Sequence, residues 1–94
     1  MEDKITKEKV EKYFSVTEKA FSMAEKSANK TSFVKEREDM LDMIKRYISD
    51  ANHFFENADF VNAFAALNYA HGWLDCGARL GIFDVHDSKY FTAD

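Results

Sequence analysis

Apolar side chains return every three or four positions along three long stretches of the chain, and each stretch predicts an amphipathic helix. In the first, Val10, Tyr13, Phe14, Thr17, Ala20, Phe21, Ala24 and Ala28 form one stripe, with interleaved lysines and glutamates opposite. Thr6 is the expected N-cap, and helix is predicted over about 6–28. Asn29–Ser32 breaks the pattern, and Thr31 or Ser32 is expected to cap a second helix over about 33–57. Its stripe is Met40, Leu41, Ile44, Tyr47, Ile48, Ala51, Phe54, Phe55 and Ala58, while His53 falls in the middle of the polar face and is expected to be exposed. Asp59 caps a third helix over about 60–81, and the short link before it forces helices two and three to run antiparallel. Residues 84–94 lack periodicity and read as a tail, of which Val85, Tyr90 and Phe91 are the residues suited to dock. The expectation is an all-α, three-helix up-down-up bundle with a short C-terminal tail, forming one domain over 1–94.

The third helix divides into three strips at about 100° per residue. Phe60, Ala63, Leu67, Ala70, Leu74, Gly77, Ala78 and Gly81 make one apolar strip, and Ala66, Tyr69, Trp73, Cys76, Leu80 and Phe83 a second. Only Asn68, His71, Asp75 and Arg79 make a polar line. A helix this apolar contacts more than one partner. Either the other two helices cover both strips, or Tyr69, Trp73, Leu80 and Phe83 form an interface with a second copy. Gly72, Gly77 and Gly81 are read as close-packing glycines; Gly81 alternatively caps the helix, and Gly72 alternatively leaves a notch beside His71.

Composition supports this picture. The chain has 94 residues, 46% hydrophobic and 15% aromatic, which excludes disorder. It has no proline and only three glycines, the profile of long helices without hairpins. A lone cysteine, Cys76, excludes an intrachain disulfide and a cysteine zinc cage, and suits a reduced interior. The net charge of −4 is modest, well mixed over residues 1–58 and sparse after them, so no basic footprint for nucleic acid is seen. The charged start (Met1, Glu2, Asp3, Lys4) and the absence of a long apolar run give no sign of a signal peptide or a membrane-spanning segment, so no membrane partner is expected.

The polar line is the candidate for chemistry. His71–Asp75 and Asp75–Arg79 are i,i+4 pairs that meet on one face, and Asp75 could orient or charge His71 for acid–base work. The plainer reading is a surface ion-pair ladder. Asp50-x-x-His53 and His71-x-x-x-Asp75 have the spacing of helical metal ligands, but antiparallel pairing keeps them apart, so neither a metal nor a cofactor is expected. Arg79-x6-His86 resembles the arginine–histidine motif of small helical ribonucleases, the HEPN superfamily, although Leu80 and Gly81 follow the arginine where that superfamily has a polar residue.

The strings Tyr47–Ala51, Asp59–Ala66 and, above all, Tyr69-Ala-His-Gly-Trp-Leu-Asp-Cys-Gly-Ala-Arg-Leu-Gly81 resemble an archaeal family known only as domain of unknown function number 357. The resemblance implies a small, soluble, cytoplasmic archaeal protein folded as a three-helix bundle, with no assigned activity and no catalytic residues to carry over. It draws interest to His71, Gly72, Trp73, Asp75, Gly77 and Arg79, and Cys76 stands where a smaller residue is expected. The functional expectation is a non-catalytic protein–protein interaction or assembly module. The alternatives are a small-molecule or acid–base site on the polar line, and a ribonuclease-like, RNA-associated helical protein.

Overall fold

The computed structural model describes residues 4–92, so Met1–Asp3 and the last two residues of the expected tail lie outside it. Three α-helices account for its regular structure: α1 Lys7–Lys26, α2 Val34–Glu56 and α3 Phe60–Leu80. The Thr6 side chain accepts the Lys9 N–H at 3.1 Å, and α1 then buries Val10, Phe14, Thr17, Ala20 and Ala24 along one stripe. The helix stops before Ala28, which is exposed rather than part of the stripe, because Ser27 turns extended. Ser27 places both its N–H and its hydroxyl on the Ala24 carbonyl, at 3.1 and 2.7 Å.

The start of α2 differs from expectation. Phe33 is its N-cap, with no side-chain capping bond. Thr31 is diverted into an Asx-turn, in which Asn29 Oδ1 accepts the Thr31 N–H at 2.9 Å and its hydroxyl at 2.6 Å. The Thr31 oxygen then meets the Phe33 N–H, one step short of the helix. At the other end the link to α3 is as short as expected. Ala58 adopts a left-handed conformation (φ 57°), and the Asp59 N–H closes back on the Phe54 carbonyl at 2.8 Å. Asp59 caps α3 by accepting the Asn62 N–H at 3.2 Å.

α3 is the central element: it packs along both other helices, which touch one another much less. Two apolar clusters result. Near the α2–α3 turn, Val10 and Phe14 of α1 meet Ala51 of α2 and Ala63, Ala66 and Leu67 of α3. At the opposite end Ala20, Ala24, Met40, Ile44, Ala70 and Leu74 come together. The first cluster joins the N-terminal halves of α1 and α3, so these two run parallel and α2 runs against them: up, down, up. The second cluster is completed by Ile82, Phe83, Val85 and Phe91, four of its ten buried members, all from beyond α3.

Two residues make the chain's return after α3 possible. Gly81 (φ 82°) ends the helix left-handed, and the Ile82 and Phe83 N–H groups close onto the Gly77 carbonyl at 2.9 and 3.1 Å. Arg37, in the first turn of α2, then ties the ends together. Its guanidinium donates to Ile82 O at 2.6 Å, to Ser27 O at 2.7 Å and to Ala24 O at 3.1 Å, and lies 5.3 Å from the Phe83 ring centre. A cation is thus placed against the open carbonyls at the C-terminus of α1, where the helix dipole favours it.

Candidate functional site

His71, Asp75 and Arg79 stand one turn apart on α3, and all three face the C-terminal tail. Asp87 folds the tail into a turn by accepting the Tyr90 and Phe91 N–H groups on its carbonyl, at 3.0 and 2.9 Å. The turn presents the Tyr90 carbonyl to His71 Nε2 at 2.7 Å. A carbonyl only accepts, so the ring proton sits on Nε2, and in the neutral ring Nδ1 accepts from the Thr17 hydroxyl 3.1 Å away. Thr17 is fully buried in α1, so this bond answers a hydroxyl that would otherwise be unsatisfied. Asp75 Oδ1 accepts the Thr92 N–H at 2.9 Å and lies 4.0 Å from His71 Nε2, while Arg79 reaches the Thr92 carbonyl at 3.4 Å. Phe91, held between these contacts, is 2% exposed.

The expected polar site therefore divides. His71, Asp75 and Arg79 clamp main-chain groups of the tail, and both His71 ring nitrogens are engaged. Asn68 is exposed and belongs to a different surface. The arginine–histidine motif divides as well. Arg79 is turned to Thr92, whereas His86 binds Asp84 at 2.7 Å, beside Met23 and Lys26 of α1. That hydrogen bond from His86 holds the Asp84 carboxyl below the usual carboxylate range; partial desolvation opposes it and Lys30, 3.4 Å away, adds to it. The two metal half-sites stay separate, with Asp50 and His53 exposed on α2 and His71 committed to the tail. Among the described residues no three metal-ligating side chains gather, and no helix is long and apolar enough to cross a membrane.

The second surface lies on the other side of α3. Asn68, Tyr69, Gly72, Trp73 and Cys76 line a shallow groove of about 370 Å³. Tyr69 is 51% exposed, and its ring packs 4.5 Å from that of Tyr47 on α2 and 6.5 Å from that of Trp73. Leu80, 59% exposed, continues this side one turn beyond Cys76. Of the four expected interface residues, Phe83 is not on this surface. It is fully buried, because the turn at Gly81 folds its ring back over Gly77.

The glycines separate in the same way. Gly77 is close-packed: a methyl group there would strike the Phe83 ring and stand 3.2 Å from Met40 Cε. Gly81 is the left-handed cap. Gly72 departs from the close-packing expectation, since a methyl group at that position meets nothing within 4 Å. The notch is real, but it opens onto the groove rather than into the packed interior.

Two structural residues, Arg37 and Thr92, and one partnership, that of Thr17 with His71, escape the sequence reading. Arg37 carried a signal. It lies three before Met40, four before Leu41 and seven before Ile44, so it is a charge in register with the apolar stripe. Thr17 was on the expected stripe, but its partner 54 positions away left no local trace.

Residues 12–83 match the family model described as "Protein of unknown function (DUF357)". No match is found among curated proteins or among solved structures. The match spans most of the chain, including α2, α3 and the whole groove, and ends just before the tail. The chain belongs to this family.

Proposed function

We propose that this member of the DUF357 family is a non-catalytic protein-interaction module, and that it receives a helix of a partner protein on the groove side of α3. Gly72 carries the reading. A glycine inside a helix costs about 0.5–1 kcal/mol relative to alanine, and no neighbour among the described residues requires it here. A helix crossing at Gly72 would approach the α3 backbone closely where no side chain intervenes, with the Tyr69 and Trp73 rings as apolar walls. The commitment of His71, Asp75 and Arg79 to the tail supports the non-catalytic side of the proposal. The exposed Cys76 thiol is in keeping with a reducing, archaeal cytoplasmic setting, which belongs to the same proposal.

Cys76 is the chain's single cysteine and lines the groove, so it offers one defined cross-linking point. A photo-cross-linker tethered there is expected to capture one partner through a helical segment. Gly72→Leu should abolish that capture without lowering the melting temperature. Capture unchanged in Gly72→Leu but lost in His71→Ala would sink the reading in favour of the polar line. Capture of a second copy of this chain would replace the foreign helix with a homodimer.

A further inference from the structure

The groove does not end at Tyr69. The Tyr47 ring, tilted 42° against it, also lines a second depression, along the outer face of α2, together with Asp39, Asp42, Met43, Arg46 and Asp50. Asp42 is neutralised by Arg46 at 2.9 Å. Asp39 and Asp50 are exposed and carry no ion-pair partner among the described residues. They stand three helical turns apart, about 16 Å along α2 at 1.5 Å per residue. Across the Tyr69–Tyr47 ring contact, the apolar groove is therefore neighboured on α2 by a depression that holds two unpaired carboxylates.

We infer that the helix this groove accepts is cationic on its polar face, with basic residues about three turns apart facing Asp39 and Asp50. The inference rests on the reading of the groove as a docking site and adds the chemistry of what docks. With the partner's apolar face on Gly72 and Trp73, lysine or arginine at its edge comes over the α2 carboxylates beyond the tyrosine pair, an arrangement charge complementarity favours. A second copy fits less well. A second copy brings its own net charge of −4 to a surface edged by carboxylates, whereas a cationic helix brings the opposite charge.

Trp73 is the chain's single tryptophan and lies in the groove, so its emission reports occupancy directly. The experiment titrates the full chain with two synthetic amphipathic helices of about five turns. They share one leucine–alanine face, and their polar faces carry lysine in one and glutamate in the other. The lysine peptide is expected to bind about tenfold more tightly at low salt, with the advantage shrinking as ionic strength rises. Reversing both charges, Asp39→Lys with Asp50→Lys, is expected to exchange the preference; both positions are exposed on α2, so the fold is retained. Equal binding of both peptides that Gly72→Leu still blocks would overturn the inference and leave the groove reading standing. A preference for the glutamate peptide would overturn the inference outright. If neither peptide moves Trp73 emission, the inference and the groove reading fall together.

Discussion

The two sides of α3 are covered in the opposite sense to their chemistry. His71, Asp75 and Arg79, the residues suited to water, lie beneath the tail and hold its main chain. Tyr69, Gly72, Trp73 and Cys76, the residues suited to a core, line an open groove. The difference shows how the chain allocates its own surface. The tail brings free main-chain groups and two apolar side chains, so it seats where side-chain donors and acceptors can answer those groups. The mainly apolar groove offers such a segment fewer hydrogen-bonding partners than the His71–Asp75–Arg79 side does. Gly72 and Gly77 make the same contrast five residues apart on one helix: the second lies under the Phe83 ring and the first faces open space.

If the covered side is part of the fold, removing what covers it should be the largest effect. Phe91 is buried against the second cluster, and Phe91→Ala is expected to cost about 3–5 kcal/mol, as for other buried phenylalanines. Chemical denaturation measures the loss, and amide exchange at Tyr90 and Thr92 should rise with it. A loss below about 1 kcal/mol, in the range of surface substitutions, would show that the tail adds little and that the covered side resembles the open one after all.

The clamp should come next in size. His71→Ala leaves the buried Thr17 hydroxyl and the Tyr90 carbonyl without their partner, at an expected cost of about 1–3 kcal/mol. Thr17→Val in the same chain should recover part of that loss, because it removes the hydroxyl that needs answering. A double-mutant cycle separates this from simple loss of packing: strictly additive effects would mean that Thr17 and His71 are not coupled.

How much of this was legible follows from range along the chain. The three helices, and the caps at Thr6 and Asp59, rest on spacings of three and four residues, and the structure places them where periodicity did. The cap of α2 was misjudged because Asn29 competes for Thr31 from two residues upstream, a local contest that hydrophobic patterning does not register. The polar line was found as a line, but its purpose was not. What it binds lies in Tyr90 and Thr92, a segment without periodicity whose docking depends on contacts 17 to 19 positions away. A helical wheel continued past Gly81 puts Phe83 on the outer strip, but the helix has already ended there. Arg37 was readable in principle, since a charge on the apolar stripe asks for carbonyl partners.

The smallest expected effect tests the bare side, and its sign is what matters. Gly72→Ala adds a methyl group that meets nothing within 4 Å, so it should stabilise the folded chain by about 0.5–1 kcal/mol through helix propensity alone. The same change at Gly77 would drive a methyl group into the Phe83 ring, so the two alanines should move the denaturation midpoint in opposite directions. A gain at Gly72 means that the native glycine is held at the expense of stability, which is what a surface kept clear for another backbone requires. The cationic helical peptide should then bind Gly72→Ala more weakly than wild type while the protein itself melts higher. If Gly72→Ala instead destabilises the chain, the glycine is serving the fold and the case for the groove loses its main support. If it stabilises the chain and leaves peptide binding untouched, the partner crosses α3 elsewhere along the Tyr69–Leu80 side.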